Sequence, residues 1–258
     1  GGLTVVKELN KILPCEDIVY FGDTGRLPYG TKGSDTIIKF ATQDIRFLLS
    51  FDVKAIIIAC GTVSSVAFNE ACAASSVPVV GVVVPAATAA VQATKTGRIG
   101  ILGTNATIRS GSYEKEILRI RPDAEVRGRP CPMFVPLVEN GYSNEGNPVS
   151  AMIAHEYLDG YFEEKTDTLI LGCTHYPLLR SFIRQTVGEN ITLIDAGRET
   201  AQAATRLLEE NSLLNPGTEP GKCRFYVSDC SEDFTRLAGV FLEHSVFGYV
   251  EKAEIENY

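Results

Sequence analysis

Hydrophobic residues along the chain gather into short unbroken runs, each followed by a stretch whose apolar positions recur every three or four residues. Ala55-Ile56-Ile57-Ile58-Ala59 and Thr168-Leu169-Ile170-Leu171 are runs of the kind buried on both faces of a parallel sheet. Each gives way to helical periodicity and then to a second run, Val77-Pro78-Val79-Val80-Gly81-Val82-Val83 in one case and Asn190-Ile191-Thr192-Leu193-Ile194-Asp195 in the other. A helix–strand pair precedes each set: Gly2 to Leu9 leading to Ile18-Val19-Tyr20-Phe21-Gly22, and Tyr113 to Leu118 leading to Ala124-Glu125-Val126-Arg127. The pattern is an internal repeat.

The two copies differ at their start. In the second, a strand from Arg98 to Thr104 precedes the helix; in the first its counterpart is missing, because the sequence opens at Gly1 on a loop into a helix. A native strand ahead of Gly2, with a carboxyl-end loop reaching the functional edge, is therefore expected. Ser34-Asp35 marks a helix start, with helical spacing through Phe47 to Leu49. Glycine, proline and asparagine mark loops at Gly22 to Gly30, Gly128 to Pro132, Asn140 to Pro148 and Asn215 to Gly221. Strands alternating with helices predict an α/β fold of parallel sheets covered on both faces by helices. The repeat boundary falls near Val83 to Pro85, which assigns residues 1–83 with 196–258 to a first α/β lobe and 84–195 to a second. Beyond residue 195 a helix, a strand at Arg224 to Val227 and a helix from Ser231 to Leu242 return to the first lobe.

Composition narrows the function. The 258 residues carry a formal net charge of −8 and show no clustered Lys/Arg run, which disfavours nucleic acid as a partner. No apolar run approaches the roughly 18 residues of a membrane span. The seven cysteines are odd in number and have no framework spacing, which points to a reducing cytoplasm. No close Cys pair suggests zinc, and no G-x-G-x-x-G or Walker pattern suggests a nucleotide, so neither a metal nor a cofactor is expected.

Two of the cysteines carry the chemistry. Cys60 ends one apolar run and Cys173 the matching run of the repeat, each with a threonine within two residues, Thr62 and Thr174. A single cysteine at the end of a buried strand is commonly just a small hydrophobe; the duplication is what argues for function. Strand-to-helix corners place both thiols at the carboxyl ends of strands, where ligands bind in open α/β sheets, and the helix N-terminus is expected to favour thiolate at neutral pH. Facing one substrate, one thiolate can remove a proton from carbon while the other thiol returns one to the opposite face. That is racemisation or epimerisation without a cofactor. His175, two residues after Cys173, can orient or protonate a bound group. Cys15, Cys72, Cys131, Cys223 and Cys230 lack such duplication and read as structural, and His155 and His244 as surface or core residues.

At these residues the chain resembles the bacterial glutamate racemases, cofactor-independent members of the aspartate/glutamate racemase superfamily. Gly172-Cys173-Thr174-His175-Tyr176-Pro177-Leu178-Leu179 matches the second cysteine motif of that family. The likeness continues in Phe21-Gly22-Asp23 through Pro28-Tyr29-Gly30, Ile101 to Thr104 through Thr107, Ser110 to Glu114, Cys131-Pro132 with Phe134 to Glu139, and Ile194-Asp195. The resemblance implies two pseudo-symmetric lobes with the active site between them, a homodimer, and interconversion of L- and D-glutamate to supply peptidoglycan synthesis. It makes Cys60 and Cys173 the acid/base thiols and His175 the assistant of Cys173. It gives Pro28, Tyr29, Gly30, Thr62, Thr104, Thr107 and Thr174 to substrate binding, with His175 alongside. Aspartate racemases lack the His-Tyr-Pro that follows Cys-Thr, so glutamate is the favoured substrate. Two departures stand out. The strand ending in Asp-Ser-Gly that the family places before its Gly-Gly pair is absent, and with it the carboxylate partner of Cys60. The usual Cys-Asn-Thr is here Cys60-Gly61-Thr62, leaving only the Gly61 backbone N–H to donate and implying altered affinity. The rival readings are a two-lobed binder of a small dicarboxylate and a racemase acting on aspartate or another acid.

Overall fold

In the computed structural model, which describes residues 1–162, 165–229, 231–242 and 250–258, the apolar runs become nine strands. These are β1 (Ile18–Gly22), β2 (Ile56–Ile58), β3 (Val79–Gly81), β4 (Arg98–Gly103), β5 (Glu125–Pro130), β6 (Thr168–Leu171), β7 (Thr192–Asp195), β8 (Cys223–Val227) and β9 (Val250–Lys252). All the strand pairs are parallel. Helices cover the sheets, so β6 is buried along its whole length and β4 everywhere but Arg98, as parallel sheets require.

Strands β4 to β7 form a four-stranded sheet in the order β5-β4-β6-β7, with Ile101 opposite Gly128 on one side and Ile170 on the other. The remaining strands make two separate sheets, β1-β8-β9 and β2-β3. In the repeat, β1 corresponds to β5, β2 to β6 and β3 to β7. Strand β4 lies between β5 and β6, but no described strand lies between β1 and β2. Their facing edges border one end of a cavity of about 1170 Å³, lined there by Val5, Leu9, Ile18, Val19, Ile57 and Ala204. The slot has the position that β4 fills in the other half.

The segment after residue 195 packs against elements near the start of the chain. The helix Ala196–Glu210 lays Ala201 and Ala204 against Val5 and Leu9 of the helix Leu3–Ile12, and β8 pairs with β1 in register from Ile18–Cys223 to Gly22–Val227. Two boundaries differ from expectation. The run Val77 to Val83 stops being strand at Gly81, because Pro85 sits in the first turn of the helix Val83–Ala93, where its missing N–H costs nothing. The expected loop at Gly128 to Pro132 is strand as far as Pro130. Strand β5 is at the edge of its sheet, where Pro130 need not donate to a neighbour on the open side.

Candidate active site

Each cysteine corner is built by its strand and then pinned by its neighbours. Cys60 follows β2 and caps the helix Gly61–Val66; the backbone N–H groups of Thr62 and Val63 point at its sulfur. Cys173 follows β6 through Gly172, whose N–H donates to the Leu102 carbonyl at 2.8 Å. Only a turn of 3-10 helix, Tyr176–Leu179, comes next, and the α-helix Arg180–Val187 starts later. Buried Tyr176 anchors that turn by donating from its hydroxyl to the Cys131 carbonyl at 2.9 Å.

The two corners meet across the halves. The Thr174 hydroxyl donates to the Ala59 carbonyl at 3.0 Å, and the Thr4 hydroxyl donates to the Thr174 carbonyl at 2.9 Å. Gly61 packs directly on the Gly172 carbonyl, so a Cβ at 61 would collide with it.

Cys60, Cys173, His175, Thr62, Thr104 and Thr174 all line the cavity of about 1170 Å³, together with Pro28, Tyr29 and Gly30. Thr62 and Thr104, one from each half, place their hydroxyl oxygens 3.0 Å apart. Gly30 lies against Thr104, where an added Cβ would approach the Thr104 Cβ to 2.9 Å. Thr107 is the exception among the predicted residues: it is 1% exposed and does not line the cavity. It stands behind Thr104, their hydroxyl oxygens 3.0 Å apart, and its N–H donates to Thr104 Oγ1 at 3.2 Å. Of the remaining cysteines and histidines, Cys131 is buried, Cys15, Cys72 and Cys223 are half-buried and His155 is exposed; Cys230 and His244 lie outside the described residues. Among the described residues no group of three or more His, Cys, Asp or Glu side chains could hold a metal ion.

One residue of the site escaped the sequence reading. Glu139, at the end of the helix Phe134–Glu139, accepts from His175 Nε2 at 3.1 Å across 36 residues of sequence. That bond leaves Nδ1 facing the Cys173 sulfur at 3.7 Å. Glu139 closes the string Phe134 to Glu139 that carries part of the family likeness, but nothing in that string assigned it a role.

The thiols do not have the depressed pKa that their corners suggested. Burial pushes Cys173 up to about 12 and raises Cys60 as well, outweighing the backbone N–H groups aimed at each sulfur. Desolvation in an apolar site exceeds what a few N–H dipoles return. Burial also takes His175 down to about 4, so its ring is neutral near pH 7. Glu139, although burial opposes it, stays ionised below the usual range through the His175 hydrogen bond. The resting site thus holds two neutral thiols and a neutral imidazole whose Nδ1 is free to accept from Cys173.

Two thiols at the carboxyl ends of equivalent parallel strands, opening on one cavity, define a class of fold and site. The chain belongs to the Asp/Glu/hydantoin racemase family, which matches residues 7–204, and it is accordingly an isomerase. Relatives at 40% identity or more include several glutamate racemases, in agreement with the resemblance of its motifs. The glutamate racemase of Geobacter metallireducens is 46% identical over 242 residues, 94% of this chain and 89% of that protein. Among solved structures, the glutamate racemase of Francisella tularensis in complex with D-glutamate has a TM-score of 0.90 at 38% identity, covering 100% of this chain and 95% of that one. A glutamate racemase isoform of Bacillus anthracis has a TM-score of 0.93 at 35% identity, covering 98% and 93%.

Proposed function

We propose that this chain interconverts L- and D-glutamate by a two-thiol proton transfer at the α-carbon, without a cofactor, and that it supplies D-glutamate for peptidoglycan as a homodimer. The observation carrying this reading is the pair Cys60 and Cys173 at matched corners of a repeat, opening on one cavity lined from both halves. In each direction one sulfur, as thiolate, takes the α-hydrogen as a proton; the opposite thiol gives its proton to the carbanionic carbon, and the two sulfurs exchange protonation states. His175 Nδ1, held toward Cys173 by the Glu139 bond, accepts a hydrogen bond from the Cys173 thiol and so orients it toward the substrate. At Cys60 the Thr62 and Val63 N–H groups aimed at the sulfur offset part of the burial cost. Thr62, Thr104 and Thr174 offer hydroxyls to the substrate carboxylates, and Pro28, Tyr29 and Gly30 form the facing wall.

The test is incubation with L-glutamate in D₂O. Loss of the α-proton signal together with appearance of the D-enantiomer, undiminished by prior dialysis against EDTA and hydroxylamine, is the expected result. Binding without exchange would leave a dicarboxylate-binding protein instead, and activity restored only by pyridoxal phosphate or a metal would overturn the two-thiol reading. Sedimentation analysis checks the dimer.

A further inference from the structure

The cavity wall formed by Pro28, Tyr29 and Gly30 is held from behind by a charged cluster that no step above uses. Arg26 Nε lies 2.8 and 2.7 Å from the two carboxylate oxygens of Asp23, its NH2 donates to Asp44 Oδ1 at 2.9 Å and its NH1 to Gln43 Oε1 at 2.6 Å. The guanidinium sits 4.2 Å over the Phe40 ring. Asp44, Gln43 and Phe40 all belong to the helix Ser34–Leu49, so the loop is tied to that helix. The Tyr29 hydroxyl donates to Asp23 Oδ2 and lies 3.3 Å from Asp44 Oδ2.

The cluster contains a proton-counting constraint. A phenol has one hydrogen, and Tyr29 gives it to Asp23. Asp44 Oδ2 then faces the Tyr29 oxygen with no hydrogen between them unless Asp44 carries one. One guanidinium also serves two carboxylates; Glu256, 73% exposed, lies 3.8 Å from Arg26, and Lys32 Nζ lies 5.9 Å from the centre of the Phe40 ring. Burial, reinforced by the Asp23 charge and opposed by Arg26 and by the Tyr29 hydroxyl, takes Asp44 up to about 8. With the proton on Asp44, the chain Asp44 to Tyr29 to Asp23 is complete and every oxygen in it has a partner.

We propose that Asp44 is a positioning residue: as the protonated acid it donates to Tyr29, fastens the loop to the helix Ser34–Leu49 and thereby holds the Pro28–Gly30 wall against Thr104 for substrate binding. The proposal deepens the glutamate racemase reading and rests on it for the identity of the substrate. When Asp44 ionises, the Arg26 tie stays but two carboxylates compete for the one Tyr29 hydrogen, so the wall loosens at Tyr29.

Asp44→Ala and Asp44→Asn separate this role from a merely structural one. The amide of the asparagine can accept from Arg26 and donate to Tyr29 without titrating. Asp44→Ala is expected to raise KM for glutamate about tenfold, the size of one charge-assisted hydrogen bond, with kcat within about threefold of wild type. Asp44→Asn is expected to keep the wild-type KM at pH 7 and to lose the KM rise that wild type shows between pH 7 and 9.5. Amide protection factors over residues 27–33, corrected for base-catalysed intrinsic exchange and measured without substrate, should fall in Asp44→Ala and, in wild type but not in Asp44→Asn, on going to the higher pH. Wild-type KM and exchange in Asp44→Ala would overturn the proposal, as would an Asp44→Asn variant that keeps the wild-type pH dependence. If Asp44→Ala fails to fold, the pH comparison of Asp44→Asn decides alone. Should wild type neither racemise nor bind glutamate, the functional reading falls, and the exchange measurement still decides the role of Asp44.

Discussion

At the scale of single residues, the site works by opposing burial against a few directed hydrogen bonds. Neither thiol can stand in for the other if each serves one face of the substrate, so Cys60→Ala and Cys173→Ala should each lower the racemisation rate at least about 10²-fold, the usual scale of acid/base groups, with circular dichroism unchanged. Wild-type turnover in either variant would make that cysteine structural. Glu139 acts at one remove, by directing His175 Nδ1 to Cys173. Glu139→Gln keeps the shape but removes the charge that holds the ring. It should lower kcat about tenfold, corresponding to about 1.4 kcal/mol for a weakened charge-assisted bond, while KM moves little. A change in KM alone would assign Glu139 to substrate binding. The residue scale also shows where sequence reasoning stopped: Cys173 and His175 are two positions apart and legible as a motif, whereas Glu139 meets His175 only through the packing of a separate helix.

Among the elements, the turn between the helix Val83–Ala93 and β4 is closed by a single carboxylate. Asp167, just before β6, accepts from the Thr94 hydroxyl at 2.5 Å and from the N–H groups of Lys95 and Thr96 at 2.7 and 2.9 Å. Burial opposes ionisation, but these bonds bring Asp167 down to about 2. Because the folded value lies below the unfolded value of about 3.9, the stabilisation is complete above that unfolded value and is lost as pH falls from about 4 through about 2. Asp167→Asn should therefore destabilise the protein near neutrality, by about 1–3 kcal/mol in urea unfolding, and flatten the acid limb of the stability curve between pH 4 and 2; an unchanged acid limb would refute the assignment.

Over the whole molecule, the two halves are joined by the site itself. Thr174 bonds Ala59, Thr62 meets Thr104, and the Ser112 hydroxyl donates to the Ser65 carbonyl at 3.3 Å. Under the proposed function, a dicarboxylate held by threonines from both halves would add to those links. D-Glutamate at 100 times its Kd should then stabilise the fold by about 2.7 kcal/mol, a melting shift on the order of 5 °C for a chain of this length. D-Aspartate, one methylene shorter, should give a smaller shift at equal concentration; an equal or larger one would move the substrate assignment away from glutamate.

The amino-acid pattern alone was enough for the parallel α/β class, for the repeat, and for the pairing of Cys60 with Cys173, because strand burial and strand-end position are local properties that periodicity reports. It was enough also for the likeness to glutamate racemases, which rests on contiguous strings such as Gly172 to Leu179. Three features required the tertiary structure. Glu139 and Asp44 acquire their partners through contacts that have no fixed sequence spacing. Thr107 retreats behind Thr104 because a helix turn, not the motif, decides which hydroxyl faces the cavity. The thiols are raised rather than lowered in pKa because desolvation depends on everything packed around the sulfur, whereas the helix-end dipole that the sequence revealed is only the nearest and weaker of the opposing effects.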